Sequence, residues 1–157
     1  AGDPGSAARF DMIQYMENKE DLALPPGGFE EATLTSPKVD RVYIKRRTGF
    51  VKLCLRYGIA IRPVYAFGEN KLFANLQGFW KIRFALNRMG IPTLFAWGRW
   101  FFPLLPRNDR SNGMYIAVGQ PVVLPKIENP TKEEVALWHG RYVMALQRLY
   151  EDHKEKD

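Results

Sequence analysis

Hydrophobic and polar positions change period several times along the chain, and each change marks a predicted element. In "RFDMIQYMEN", residues 9 to 18, Phe10, Ile13 and Met16 stand three apart with Tyr15 close by, which suits one face of a short amphipathic helix. "DLALPP", 21 to 26, reads as a strand that stops at its prolines, and "VYI", 42 to 44, as a second apolar run. "GFVKLCLRY" then turns helical, with Thr48 in the N-cap position and Gly58 where a helix favours a left-handed residue. "IAIRPVYAF", Ile59 to Phe67, is β-branched enough for a buried strand, which Pro63 pushes toward an edge or a bulge. A helix around Trp80 to Met89 leads through Gly90 into "IPTLFAW", and "MYIAVGQPVVL", Met114 to Leu124, gives a last strand or pair of strands broken at Gly119. The C-terminal helix is the clearest element. Thr131 and Glu134 form a capping box after Pro130, and Val135, Trp138, Tyr142, Ala145, Leu146 and Leu149 recur at helical spacing up to a charged tail.

The order strand, helix, strand within about 30 residues is that of a right-handed crossover unit in a parallel sheet, so an α/β layer architecture is expected. With 157 residues and no internal repeat or linker, the chain is read as one domain or part of one. It starts at Ala1 in "AGDPGSAARF", without the basic start and apolar middle of a signal peptide, as a piece of a longer protein would. The single cysteine, Cys54, stands between two leucines and is expected to be a packed thiol. One cysteine and two histidines fall short of the usual metal-ligand clusters, and neither a P-loop nor a GxGxxG fingerprint occurs.

Charge sharpens this picture. The net value is +6, and the excess gathers in Arg41, Lys45, Arg46, Arg47, Lys52 and Arg56, a span without an acidic residue. Such a patch favours phosphate on nucleic acid, anionic lipid or a phosphorylated cofactor. It lacks the interleaved aromatics of a base-stacking platform, so a nucleic-acid partner is not expected. Lys45, Arg46 and Arg47 lie just before a predicted helix N-terminus at Thr48 and Gly49, where free N–H groups favour an anion. Lys52 and Arg56 share one face of that helix and either extend the patch or form its wet side. No run of 18 apolar residues occurs, and the nearest approach, "LFAWGRWFFPLLP", is interrupted by Arg99. Its Trp97, Trp100, Phe101, Phe102, Leu104 and Leu105, flanked by Arg99 and Arg107, suit either a lipid interface or a buried core. Of the histidines, His153 lies in the charged tail, and His139 is either a hydrogen-bonded helix residue or a base.

One stretch, "ALPPGGFEEA", sets a Pro-Pro-Gly-Gly turn before two carboxylates. "PPGGFEEA", "IKRRTGFVKLCLRYG", "IRPVYAFGEN", "VGQPVVLPKIENPT" and "HGRYVMALQRLYEDHK" resemble, in that order, successive blocks of the type-2 diacylglycerol acyltransferase family, from about Arg9 to His153. The family also holds monoacylglycerol and wax-ester acyltransferases. The resemblance is to its carboxyl-terminal part and implies an incomplete glycerolipid-acyltransferase-like α/β sheet with crossover helices. The family's His-Pro-His-Gly motif, which belongs to the amino-terminal half, has no counterpart here, so the 157 residues alone are expected to be inactive.

The resemblance implies roles for particular residues of the site. Glu31 matches the family glutamate and is the catalytic candidate, orienting the absent histidine or binding the acceptor hydroxyl. Gly27 and Gly28 are expected to shape an acceptor or oxyanion pocket. Phe29 replaces a small residue common among relatives, and Gln120 with Pro121 stands where Glu-Pro is common. Lys45, Arg46, Arg47, Thr48 and Gly49 would take the phosphates of acyl-CoA, a co-substrate rather than a bound cofactor. Phe67, Glu69 and Asn70, at the end of a predicted parallel strand, and His139 complete the substrate-binding candidates. A membrane surface met through residues 97–107 and a place at the endoplasmic reticulum or a lipid droplet follow from the same resemblance. An acyl-CoA or lipid binding module without catalysis, or a monoacylglycerol or wax-ester acyltransferase, is the alternative expectation.

Overall fold

The computed structural model describes residues 12–91, 93, 95–99, 105–107 and 113–156. Its longest element forms where the sequence signal is clearest. Helix α6, Lys132–His153, begins at Thr131, whose hydroxyl accepts the Glu134 N–H while the Glu134 carboxylate accepts the Thr131 N–H. Two donors that no helix carbonyl reaches are thereby satisfied. Val135, His139, Tyr142, Leu146 and Leu149 form its buried stripe, three or four residues apart.

The other elements follow in chain order. Residues 12–17 form α1, with Met16 buried and Tyr15 exposed, while Phe10 lies outside the described residues. Next come α2 (Gly28–Leu34), α3 (Gly49–Tyr57), β1 (Val64–Phe67), α4 (Glu69–Leu72), β2 (Ala74–Asn75), α5 (Trp80–Arg88), β3 (Ala96–Trp97) and β4 (Tyr115–Val118). Helix α3 buries Val51, Leu53, Cys54 and Leu55 and leaves Lys52 and Arg56 in solvent. It ends as expected: Gly58 has φ +67, and its N–H and that of Ile59 return to Leu55 and Cys54. Thr48 occupies the N-cap without a side-chain capping bond. Met16, the buried face of α3, Leu124 and Val135 make the main apolar core, in which burial pushes the Cys54 thiol up to about 11.

The sheet differs from expectation. Among the described residues all strand pairing is antiparallel: β1 with β4, from Val64↔Val118 to Phe67↔Tyr115, and β2 with β3. Residues 42–44 join no strand, so the parallel crossover is not formed there. Competing hydrogen bonds from elsewhere in the chain are the reason. The Tyr43 N–H is taken by the Glu31 carboxylate and the Ile44 carbonyl by His139, which removes the groups a ladder needs. Residues 21–26 form no strand either, and Leu22 is exposed. Beyond β1, Ile61 bridges Val122, so Arg62 and Pro63 face the longer stretch Gly119, Gln120 and Pro121, which is a bulge. Gly119 is required within it, because a Cβ there would sit 2.8 Å from Pro63. The architecture is therefore mixed α/β, with small antiparallel sheets beside a helical layer.

A polar core joins α2 to α5. Asn87 donates to the Thr33 hydroxyl at 2.8 Å and accepts from the Thr93 hydroxyl at 2.8 Å. Arg83, only 3% exposed, donates to the Thr93 carbonyl, to Asn75 Oδ1 and to the Leu76 carbonyl, and lies 5.3 Å from the Trp80 ring. Carbonyls and π faces, with no carboxylate among these partners, solvate a guanidinium whose pKa burial lowers. This lattice fixes the helix that carries Glu30 and Glu31.

Candidate functional site

The Pro-Pro-Gly-Gly turn does not end in a loop. It opens α2, with Gly27 as N-cap in right-handed geometry and Gly28 at φ +61. The three atoms nearest to a Cβ built on Gly27 all belong to Glu31, with Oε2 at 2.2 Å and Cβ at 2.3 Å. Glycine is needed here so that the Glu31 carboxylate can fold back over the turn. Its Oε2 accepts the Tyr43 N–H at 2.9 Å.

Burial raises the Glu31 pKa, the Tyr43 N–H opposes the rise, the Glu69 charge adds to it and Arg47 opposes it. Glu30, the other carboxylate of the pair, is ion-paired to Arg47. Arg47 also donates to the Gly27 carbonyl at 3.3 Å and lies 5.5 Å from the Tyr43 ring, while its Nε is buried without a hydrogen-bond partner. The basic segment and the glycine turn, twenty residues apart in sequence, thus meet through one guanidinium.

The other candidates divide between this centre and its frame. Glu69 opens α4 after Gly68 at φ +78 and is exposed on the Glu31 side. Asn70 donates to Asp40 Oδ1 at 2.7 Å, and its own Oδ1 is buried without a hydrogen-bond partner. His139 is buried with Nε2 3.0 Å from the Ile44 carbonyl; a carbonyl only accepts, so Nε2 carries the proton. His139 therefore holds the 42–44 segment against α6, which in turn presents the Tyr43 N–H to Glu31. Phe67 is packed among Tyr65, Tyr115 and Tyr150, in the aromatic core under α6. Lys45 and Arg46 are exposed, Gly49 has open space around it, and Phe29 points to solvent.

Several neighbours were not legible as site residues. Tyr142 faces Glu31 from α6, and burial followed by that charge raises its pKa. Asp40 accepts from Tyr150 at 2.8 Å and from Tyr65, whose pKa burial and then Asp40 raise. Tyrosine at such positions reads in sequence as ordinary core. Of the aromatic run at 97–107, Trp97 is half-buried and Arg99, Leu105 and Arg107 are exposed, while Trp100, Phe101, Phe102 and Leu104 lie outside the described residues. No helix among the described residues is long and apolar enough to cross a membrane.

Comparison with known proteins adds to this geometry. A family model described as diacylglycerol acyltransferase matches residues 6–157. The chain is 32% identical over 161 residues to diacylglycerol O-acyltransferase 2 of Mus musculus, covering 93% of this chain and 41% of the relative. It is 37% identical over 140 residues to 2-acylglycerol O-acyltransferase 3 of Homo sapiens, covering 82% and 40%. With acyl-CoA wax alcohol acyltransferase 2 of Mus musculus the identity is 34% over 151 residues, covering 86% and 43%. The chain spans about two fifths of the length of these relatives. No solved structure matches it.

Proposed function

The chain belongs to the diacylglycerol acyltransferase family, and on that premise we propose that it forms the carboxyl-terminal part of an acyl-CoA-dependent O-acyltransferase acting on diacylglycerol. One observation carries the placement of the site: a partly buried glutamate, drawn over a glycine turn and held by the Tyr43 N–H, beside the arginine that links the turn to the basic segment. In the proposed reaction the acceptor hydroxyl oxygen attacks the thioester carbonyl as a base takes its proton. The tetrahedral oxyanion collapses, the C–S bond breaks, and the coenzyme A thiolate leaves and is protonated. With Oε2 engaged by Tyr43, Glu31 Oε1 is the oxygen assigned to the acceptor hydroxyl or to the histidine of the family motif outside these residues. First-turn N–H groups of α2 would face the developing oxyanion, where pre-aimed donors act most strongly.

Arg47 is already committed to Glu30, so Lys45 and Arg46 are the cations assigned to the acyl-CoA phosphates. Exposure of Arg99, Leu105 and Arg107 supports a lipid-facing edge, consistent with the endoplasmic reticulum or a lipid droplet as the working surface. The test is acyl transfer from acyl-CoA to diacylglycerol, monoacylglycerol and a long-chain alcohol by the full-length polypeptide. Glu31→Gln, which keeps an acceptor for Tyr43, is expected to lower kcat/KM at least about a hundredfold. An unimpaired variant removes Glu31 from the site, and activity only with another acceptor moves the substrate assignment. Because the chain spans only about two fifths of its relatives, binding of acyl-CoA without catalysis is the second reading. Titration of the 157 residues with acyl-CoA at two salt concentrations measures it.

A further inference from the structure

Strands β1 and β4 read "VYAF" and "YIAV", apolar at nearly every position rather than at alternate ones. Such runs belong to sheets covered on both faces. In this structure α6 covers one face, where Tyr65, Phe67 and Ala117 pack against Leu149 and Tyr150. The register places Val64 opposite Val118 and Ala66 opposite Ile116 on the other face, and Met114 continues that row. There Val64 is 51% exposed, Ile116 54%, Val118 56% and Met114 58%.

We propose that this second face, Val64, Met114, Ile116 and Val118, is the docking surface for the portion of the acyltransferase polypeptide that the relatives carry outside the matched span. The chain covers 41% of the mouse relative, so more than half of such a polypeptide remains to supply a covering layer. The same strand β1 leads through Gly68 into Glu69 and Asn70. The proposal rests on the acyltransferase reading only in taking the chain as part of a longer polypeptide. It does not depend on catalysis.

The experiment compares cysteine labelling by a water-soluble maleimide in the 157-residue chain and in the polypeptide of the complete reading frame. Ile116→Cys and Val118→Cys are the probes, Gln147→Cys on the exposed side of α6 is the control, and buried Cys54 stays silent. In the short chain both probes should label at the control rate. In the full polypeptide they should slow at least about tenfold while the control does not. Equal labelling in both forms overturns the proposal, as does a reading frame that adds nothing to the 157 residues. Protection of the short chain that grows with its concentration assigns the face to a second copy, and protection that needs vesicles assigns it to lipid; either result overturns it. Should the cysteine variants fold poorly, hydrogen exchange of the 114–118 amides in the unsubstituted proteins reads the same difference. Protection in a full-length protein with no acyl transfer upholds the docking and removes the proposed activity.

Discussion

Gly27→Ala tests the central contact of the site. The residue sits at φ −71 and ψ −30, which alanine adopts without strain, so the backbone itself offers no objection. The added methyl group does: it would fall 2.2 Å from Glu31 Oε2 and 2.3 Å from Glu31 Cβ. Side-chain rotation removes the first clash but leaves the second, so the opening turn of α2 must shift. Overpacking of this kind costs about 1 to 3 kcal/mol. Loss of the charged hydrogen bond from Tyr43 adds about 1.5 to 3 kcal/mol, and lower unfolded-state entropy returns about 0.4 to 1 kcal/mol. The net expectation is a loss of about 2 to 5 kcal/mol, read from urea unfolding followed by tryptophan fluorescence. In a Glu31→Gly background both obstacles are gone, so the same substitution should cost far less, with a coupling of at least about 2 kcal/mol in the double-mutant cycle. A Gly27→Ala cost that is equal in the two backgrounds would refute the claim that this glycine exists to seat the carboxylate.

Three further outcomes follow from neighbouring contacts. Burial raises the folded-state pKa of Glu31 above its ordinary 4.5, so the folded chain holds more proton in the window just above that value. Stability contributed by this group should fall as pH rises through the window, and the difference in urea midpoint between Glu31→Gln and the unsubstituted chain, measured from pH 4.5 upward, should widen and then level off. Arg83→Lys strips a planar fork from the Thr93 and Leu76 carbonyls and Asn75; a loss of about 2 to 4 kcal/mol in the same unfolding assay is expected, and a neutral result would deny the polar core its role. Lys45→Ala with Arg46→Ala should raise KM for acyl-CoA in the full-length enzyme and flatten its salt dependence while leaving the KM for the acceptor alone, whereas an unchanged salt slope would place the phosphates elsewhere.

The elements read most securely from sequence were those whose signals are local. A capping box, a helical stripe and a left-handed glycine each act within one or two turns, and α6 and α3 formed as their spacing predicts. Helix α5 formed too, but its inward residues are Arg83 and Asn87 while Ile82 is exposed, the reverse of what polarity suggests. No local rule predicts that inversion, because it depends on carbonyls and hydroxyls delivered by Thr93, Asn75 and Thr33 from elsewhere in the chain. Parallel pairing was expected from element order alone, yet strand partners are chosen by long-range hydrogen bonding, and Glu31 and His139 had already claimed the groups of residues 43 and 44.

The site shows the same division. Sequence alone determined that a Pro-Pro-Gly-Gly turn precedes two glutamates, that positive charge gathers before α3, and that Cys54 is packed, since composition and short-range spacing fix all three. Tertiary structure decided which glutamate is paired and which is left with a raised pKa. That choice follows from the fold bringing Arg47 to Glu30, the Tyr43 N–H and Glu69 to Glu31, and Tyr142 across from α6, and electrostatic energy depends on separation in space rather than along the chain.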